Sequence, residues 1–569
     1  MQVQKEQSER LLFIFIIGWA LINVIQACFV DLHPDEAYYW IYSRFLDWGY
    51  FDHPPMVAMF IKVGDSLMHS QLTLRLLTII TTSISIVVIW KIVSAYAQDI
   101  KLFLLVFSGI VLFHVYGFIT TPDSPLFFFT VLFFYVYQRY VKEDSYKWAA
   151  VLAVIIACLL YSKYHAILVL LFTILSNLKL LKRPSFWMII VLSVIVFLPH
   201  IWWQVQNHYP SFYYHVIDRS AYAYQFEFTY QYLLAQLALA GPLVGWFLYR
   251  TAVLHKPEDV FIRALKFNCY GVFLFFLLTT LKGRVEGHWT LPGMTCLFIL
   301  AYLHLAKNGT PKSFTKLAYI NIGMIILTRL ILVFPIDALQ KISLVADYFG
   351  AQKWADAVHE KAGDSPVIFL DSFQIPSRYN FYTNSTKGFS YDSRYYRKNQ
   401  FDIWPLEDSL RNKRVYYVVR HNQGTATQDT LETSKGIFYG DWIEQVRLYQ
   451  KVSVEPLVIS GGWSKNQRVD LMLKITNPYK ETISLSNDGD HWKCYLEYGY
   501  QQLGKIVEEF RLVEADISKV TIAPGQSVIL PAKVHAPIKA GDFKLIFSLR
   551  TEPFSGARNS SMIPVTIKN

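Results

Sequence analysis

The chain has 569 residues, of which 53% are hydrophobic, 16% aromatic and only 17% charged, with a mean hydropathy of +0.26. That balance excludes an ordinary soluble enzyme or a disordered chain, and it is normal for a protein that crosses a membrane several times. The net charge of +11 lies mostly in short loops between apolar runs, so it reads as membrane topology and contact with anionic lipids, not as nucleic-acid binding.

Up to about Pro335 the sequence is a series of about eleven apolar runs of roughly 20 residues, each enough to span about 30 Å of hydrocarbon. They begin near Leu11, Leu72, Leu102, Leu126, Trp148, Ala166, Phe186, Tyr232, Phe261, Thr290 and Leu317. The first lacks a small-residue cleavage site and reads as a retained span. One set of loops carries Lys5 and Arg10, Lys91 and Lys101, Arg139, Lys142 and Lys147, then Lys179, Lys182 and Arg183. It continues with Arg250, Lys256, Arg263 and Lys266, and ends with Lys307, Lys312 and Lys316. The other set is poorer in Lys and Arg, so the first set and the N-terminus are expected in the cytoplasm. An odd number of spans puts the C-terminal region outside.

The outward loops collect the ionisable groups. Directly after the first run comes DLHPDEAYYWIYSRFLDW, residues 31–48. Tyr38, Trp40, Ile41, Phe45 and Trp48 recur at roughly helical spacing, which predicts a helix lying in the interface with Asp35 and Glu36 at its start. The two acids read either as N-terminal caps or as a general base with its neighbour. Phe51 to Pro55, FDHPP, is a rigid turn that presents Asp52 and His53, or a plain stop before the next helix. Asp123, held in TTPDSPL, either caps the fourth span or adds a second carboxylate to a site.

Lys163, in YSKYHA, sits between two apolar spans with almost no loop, so it either snorkels or meets an anion. His215 and Arg219 fall four apart in the next long outer loop, on one face if helical. Lys282, Arg284, Glu286 and His288 precede the tenth run. Aspartate and glutamate oxygens with histidine nitrogens also suit a divalent metal. The five cysteines, Cys28, Cys158, Cys269, Cys296 and Cys494, show no paired spacing, so no disulfide framework or cysteine-based metal site is expected.

The set HPDEAYYW, GYFDHPPM, TPDSPL, YSKYHA, PSFYYHVIDR and GHWTLPGM resembles the bacterial members of the protein O-mannosyltransferase (PMT) superfamily. These polytopic GT-C glycosyltransferases include the lipid A aminoarabinose transferases. The resemblance covers roughly residues 10–340. It implies an enzyme of the bacterial inner membrane that takes a sugar from a polyprenyl-phosphate carrier at the periplasmic face. The acceptor would be lipid A or another envelope glycolipid or glycan, with a protein acceptor as the alternative.

Carried over by motif, Asp35 resembles the catalytic base, Glu36 its neighbour and Asp123 the second acid. Lys163 and Arg219 resemble cations facing the donor phosphate, with Lys282 and Arg284 next in line. In the aminoarabinose branch the Pro-Pro turn reads Glu-Lys-Pro-Pro and its Glu helps hold a metal. Here it reads Asp52-His53-Pro54-Pro55, and Asp52 with His215 would be the ligands of a zinc or manganese ion. His53, Glu286 and His288 complete the expected site. A lipid-linked sugar transporter or flippase is the rival from another class. It would show repeated span patterns or charges within spans, whereas the charges here read as gathered on one side.

The chain is therefore expected to hold a transmembrane glycosyltransferase domain over 1–340 and a small extracytoplasmic α/β domain over 341–450. An immunoglobulin-like β-sandwich is expected over 451–569. The middle part alternates a helical stretch, DYFGAQKWADAVHEK, with strands SPVIFL and KRVYYVVR. The last part has short alternating strands between turn signals. No catalytic constellation is visible in either.

Overall fold

In the computed structural model, residues 2–219, 223–334, 343–370, 372–391, 393–395, 397–424, 427–459 and 462–568 are described. They divide into two compact units, one over residues 1–220 and 224–349, the other over 350–569 with 221–223.

The first unit is helical. Each apolar run expected from the sequence falls on a helix. Among the described residues, six helices are long and apolar enough to cross a membrane: Glu6–Phe29, Gln71–Val93, Pro184–Gln206, Val260–Thr279, Gly287–Asn308 and Lys312–Val333. A seventh crossing arises if Phe226–Ala240 and Gly245–Leu254, bent by 90°, form one broken span. Ile100–Gly109, Tyr146–Ser162 and Ala166–Ser176 are apolar but shorter, and Asp123–Lys142 completes the bundle.

The packing is that of a protein in lipid. Leu291–Asn308 is buried almost throughout and forms the centre. The outer helices turn Phe13, Ile14, Ile17, Val194, Ile195, Leu198, Ile326 and Leu327 outward. A soluble protein could not leave so much apolar surface bare. A helix pairs its backbone groups along its own length, which is what makes it tolerable in hydrocarbon, and Pro199 inside Pro184–Gln206 is an exception of the kind that membrane helices accommodate.

The 90° break also has a local cause. Gly241 has φ of +122°, and a Cβ there would lie 2.6 Å from the carbonyl oxygen of Gly109, so only glycine permits this approach. Asn321 bridges the break, donating from Nδ2 to Gly109 O (2.8 Å) and accepting from Leu243 N (3.2 Å).

Between the first span and Gln71–Val93 lies the expected interfacial helix, Pro34–Arg44. Proline occupies its first turn, and His33 and Glu36 form a reciprocal capping box. A second short helix, Met56–Asp65, follows the Pro-Pro turn.

The second unit holds a five-stranded mixed sheet of β1 (Val367–Phe369), β2 (Gly388–Ser390), β3 (Val415–Val419), β4 (Asp429–Thr433) and β5 (Gly436–Ile443). Its order is β2-β1-β3-β5-β4, with β1 parallel to β2 and β3 and the rest antiparallel. Ala351–Ala362 and Gln374–Tyr382 are its principal helices. Beyond it, a three-stranded sheet centred on Arg468–Thr476 and a six-stranded sheet containing Cys494–Gln502 and Gly541–Thr551 share one apolar core. The alternating burial of Arg468–Thr476 is the signature of a sandwich strand with one wet face. The α/β part and the strand-rich part belong to one unit. Arg394 donates to Glu497, which also receives Arg550 Nε at 3.1 Å.

Candidate active site

The expected acids converge around the interfacial helix. Tyr39, on that helix, is buried, and the charges of Asp35, Asp52 and Asp123 add to burial in holding its hydroxyl well above the usual tyrosine range. Three carboxylates, two from the segment between the first two spans and one from the start of Asp123–Lys142, thus lie within electrostatic reach of one side chain. Their surroundings differ, and so do the roles open to them.

Asp35 is the accessible one. Its side chain is 34% exposed and lies 3.9 Å from the His33 ring. Glu36, expected beside it in the site, turns the other way and is fully buried. Arg75 Nε donates to its Oε1 (2.9 Å) and Nη2 to its Oε2 (2.7 Å). Thr120 N donates to Oε1 (2.8 Å) and His33 N to Oε2 (2.9 Å). Arg75 further donates to the carbonyls of Val30 (2.7 Å) and Asp31 (3.0 Å). Glu36 therefore ties together the end of the first span, the helix start and the loop before Asp123, and does not face the opening. Glu36, expected as the neighbour of Asp35 in the site, is thus held by Arg75 behind it.

Asp123 and Lys163 were expected in separate roles, and the structure pairs them. Lys163 Nζ donates to both carboxylate oxygens, at 2.8 and 2.7 Å, with both side chains almost wholly buried. His288 Nε2 lies 3.7 Å from Asp123 Oδ2. The lysine charge is thus already answered, and Lys163 is not the unpaired cation that the sequence suggested.

Arg219 is different. Its guanidinium lies over the face of Trp289, 4.4 Å from the ring centroid, and 5.6 Å from that of Tyr214. It forms no ion pair among the described residues. Arg284 reaches Glu286 at 3.4 Å, but both are well exposed, and Lys282 is exposed.

Asp52 and His215 are adjacent, though not as metal ligands. His215 Nε2 donates to the backbone carbonyl of Asp52 (2.8 Å), and an Asp52 carboxylate oxygen accepts from the Tyr42 hydroxyl (2.5 Å). Burial pushes the imidazole down to about 4, so it stays neutral and serves as a donor to the turn. His53 stacks edge-on against Tyr39 and lies near the His215 ring. No group of three or more His, Cys, Asp or Glu is gathered for a metal among the described residues. This donor set does not fit a zinc or manganese centre.

The sequence reading missed Arg75 and Arg329. Each is a lone arginine in an otherwise apolar run, and a charge at that depth is a functional or pairing signal. Charges therefore do occur within spans.

A family model described as dolichyl-phosphate-mannose-protein mannosyltransferase matches residues 52–203, which include Asp52, Asp123 and Lys163. The lipid A galacturonosyltransferase RgtD of Rhizobium johnstonii is 23% identical over 348 residues, covering 58% of this chain and 72% of its own. The crystal structure of ArnT from Cupriavidus metallidurans in the apo state superposes with a TM-score of 0.57 at 14% identity. It covers 75% of this chain and 97% of ArnT. The chain thus shares the fold of ArnT, and over residues 52–203 its sequence is similar to the mannosyltransferase family. ArnT bound to undecaprenyl phosphate matches over the same shares, with a TM-score of 0.53 and 13% identity. Within this GT-C fold, the carboxylates and cations of the site come from loops that follow separate helices.

Proposed function

We propose that the chain transfers a sugar from a polyprenyl-phosphate carrier to a lipid acceptor of the cell envelope, with lipid A the first candidate. RgtD acts on lipid A by its name, and ArnT has been solved with undecaprenyl phosphate; both relatives support this reading. The observation that carries it is the division of labour among the acids. Asp35 alone combines partial exposure with placement at the start of the interfacial helix, and it stands beside the buried Glu36–Arg75 pair.

The chemistry follows from that arrangement. Asp35 takes the proton of an acceptor hydroxyl as its oxygen bonds to the anomeric carbon. The bond from that carbon to the carrier phosphate oxygen breaks, and its electron pair leaves with the phosphate. Arg219 supplies positive charge where that negative charge grows, in a planar fork suited to two phosphate oxygens. Asp123, neutralised by Lys163, positions the loop, and His288 lies beside it. One base and no covalent sugar intermediate give a single displacement with inversion. The lysine and arginine bias of the loops puts the N-terminus in the cytoplasm and this site on the outer face of the inner membrane.

The test is turnover by purified enzyme given a polyprenyl-phosphate sugar and lipid A. Asp35→Asn is expected to lower the rate by about 10² or more while the protein remains folded. Near-parental turnover would refute Asp35 as base. Glycosylation of envelope proteins with lipid A unchanged would replace the lipid acceptor by a protein.

A further inference from the structure

Away from the catalytic loops, a crevice of about 470 Å³ opens between the first span and the last, Lys312–Val333. Its walls are apolar except at one end, where Trp19, Gln26, His114 and Arg329 meet. Arg329 is only 8% exposed, and all its polar partners are neutral. Its Nε donates to Gln26 Oε1 (2.5 Å) and Nη2 to Asn23 Oδ1 (2.6 Å), while Nη1 faces His114 Nδ1 at 3.0 Å. His114 Nε2 in turn sits 2.9 Å from the carbonyl of Ser108. The second nitrogen therefore carries the proton and the first accepts, which fixes the imidazole as neutral. No carboxylate lies within ion-pair distance of Arg329 among the described residues.

The groups left over have one character. The indole N–H of Trp19 and the amide nitrogen of Asn23 are buried and make no hydrogen bond, and both are donors. So are the guanidinium N–H groups beyond the three already used. A full positive charge and a surplus of donors, with no acceptor to spare, describe a site for an anion. A cation at this depth is otherwise expensive, and Arg329 is held by three side chains and cannot snorkel to the surface.

The position says which anion. Arg329 is four residues from the end of its helix, about 6 Å along the axis, and Gln26 is three from the end of the first span. Those ends lie on the same side as Asp35, which follows the first span within six residues. The charge thus lies about one turn inside the end of its span, and the rest of the crevice, lined by Phe15, Ile22, Ile322, Ile326 and Val333, is apolar.

We infer that this crevice binds a membrane lipid with an anionic phosphate headgroup, the phosphate on Arg329 and Trp19 and the chains along the apolar walls. The site is separate from the residues that carry the transfer reaction, although the Phe118 ring lies near both cations, 5.8 Å from Arg329 and 5.3 Å from Arg75.

The probe is dioleoyl phosphatidylglycerol, added to the purified full chain and scored as lipid adducts by native mass spectrometry. Phosphatidylethanolamine and inorganic phosphate serve as separate arms. The parent should retain phosphatidylglycerol about tenfold or more better than phosphatidylethanolamine, as a charge-assisted contact requires, and should ignore inorganic phosphate. Arg329→Gln should abolish the preference and Arg329→Lys should keep most of it. Trp19→Phe, which removes the N–H and part of a ring that packs in the core, should weaken binding several-fold in protein shown to remain folded. An unchanged preference in Arg329→Gln and Trp19→Phe would reduce Arg329 to a polar stitch between helices and overturn the inference. Equal binding of inorganic phosphate would overturn its lipid part. Transfer activity is not the readout, so the result stands whether or not Asp35 proves to be the base.

Discussion

The Glu36–Arg75 pair offers a sharp test of which acid does the chemistry. Arg75→Met strands a carboxylate that is fully buried, leaves it only the backbone donors of His33 and Thr120, and releases the carbonyls of Val30 and Asp31 from their partner. Breaking one side of a buried pair costs about 3–5 kcal/mol. Glu36→Gln strands the arginine instead, at a similar cost. Removing both charges together leaves no unanswered ion, so the double variant should be less destabilised than the sum of the singles by roughly 2 kcal/mol or more. Stability is read by denaturation in mixed micelles, and turnover is normalised to folded enzyme. Because Glu36 anchors the start of the helix that presents Asp35, both singles should also lose turnover and the double should regain part of it. Additive stability losses would refute the coupling. A double variant as stable as the parent yet as inactive as Asp35→Asn would place Glu36 in the reaction itself.

Arg219→Gln is expected to weaken polyprenyl-phosphate binding and lower turnover by about 10²-fold, with Arg219→Lys recovering part of both; unchanged binding in Arg219→Gln would move the phosphate contact to Lys282 or Arg284. Chelation by EDTA should leave turnover unchanged, and metal analysis of active enzyme showing a stoichiometric ion held by Asp52 or His215 would contradict the geometry seen here. In the second unit, burial pushes the Glu407 carboxyl up to about 7 from 4.5, so its folded form holds a proton that the unfolded chain releases earlier. Stability should then fall by about 3 kcal/mol as pH rises from about 4.5 to 7 and stay level above that. Glu407→Gln should flatten that segment of the profile, and an equally sloped profile in this variant would refute the assignment.

Much of this was legible in the chain. The helices sit where the apolar runs are, because a 20-residue apolar stretch has few alternatives in a bilayer. The helix Pro34–Arg44 was readable from its aromatic spacing, but its aromatics pack inside the protein. The convergence of Asp35, Asp52 and Asp123 followed from placing alternate loops on one side. What sequence could not give was the pairing. Asp123 and Lys163 are forty residues apart, as are Glu36 and Arg75 to within one, and only packing decides which opposite charges meet. Asp52 and His215, set side by side only by the family resemblance, are neighbours, but nothing in the chain shows that the imidazole takes the backbone carbonyl while the carboxylate takes Tyr42.

The pairings also explain how a site with so many charges can select one leaving group. Glu36 answers Arg75, and Asp123 answers Lys163 inside the protein, so neither pair presents net charge to a ligand. His215 is neutral and donates to the Asp52 turn. What remains toward the opening is the partly exposed carboxylate of Asp35 and the Arg219 guanidinium, braced against Trp289 and, among the described residues, without an ion-pair partner. Arg219 also lies near enough to Lys163 for their charges to interact, so an arriving anion is drawn to a region where positive charge is incompletely balanced. A phosphate that gains charge as the glycosidic bond breaks is stabilised more in the transition state than on binding, and that difference is what accelerates the step. Were Lys163 unpaired as well, the carrier would be held tightly before and after transfer alike, and its release would slow turnover. In the proposed reaction the Asp123–Lys163 pair therefore spares the carrier a second bare cation.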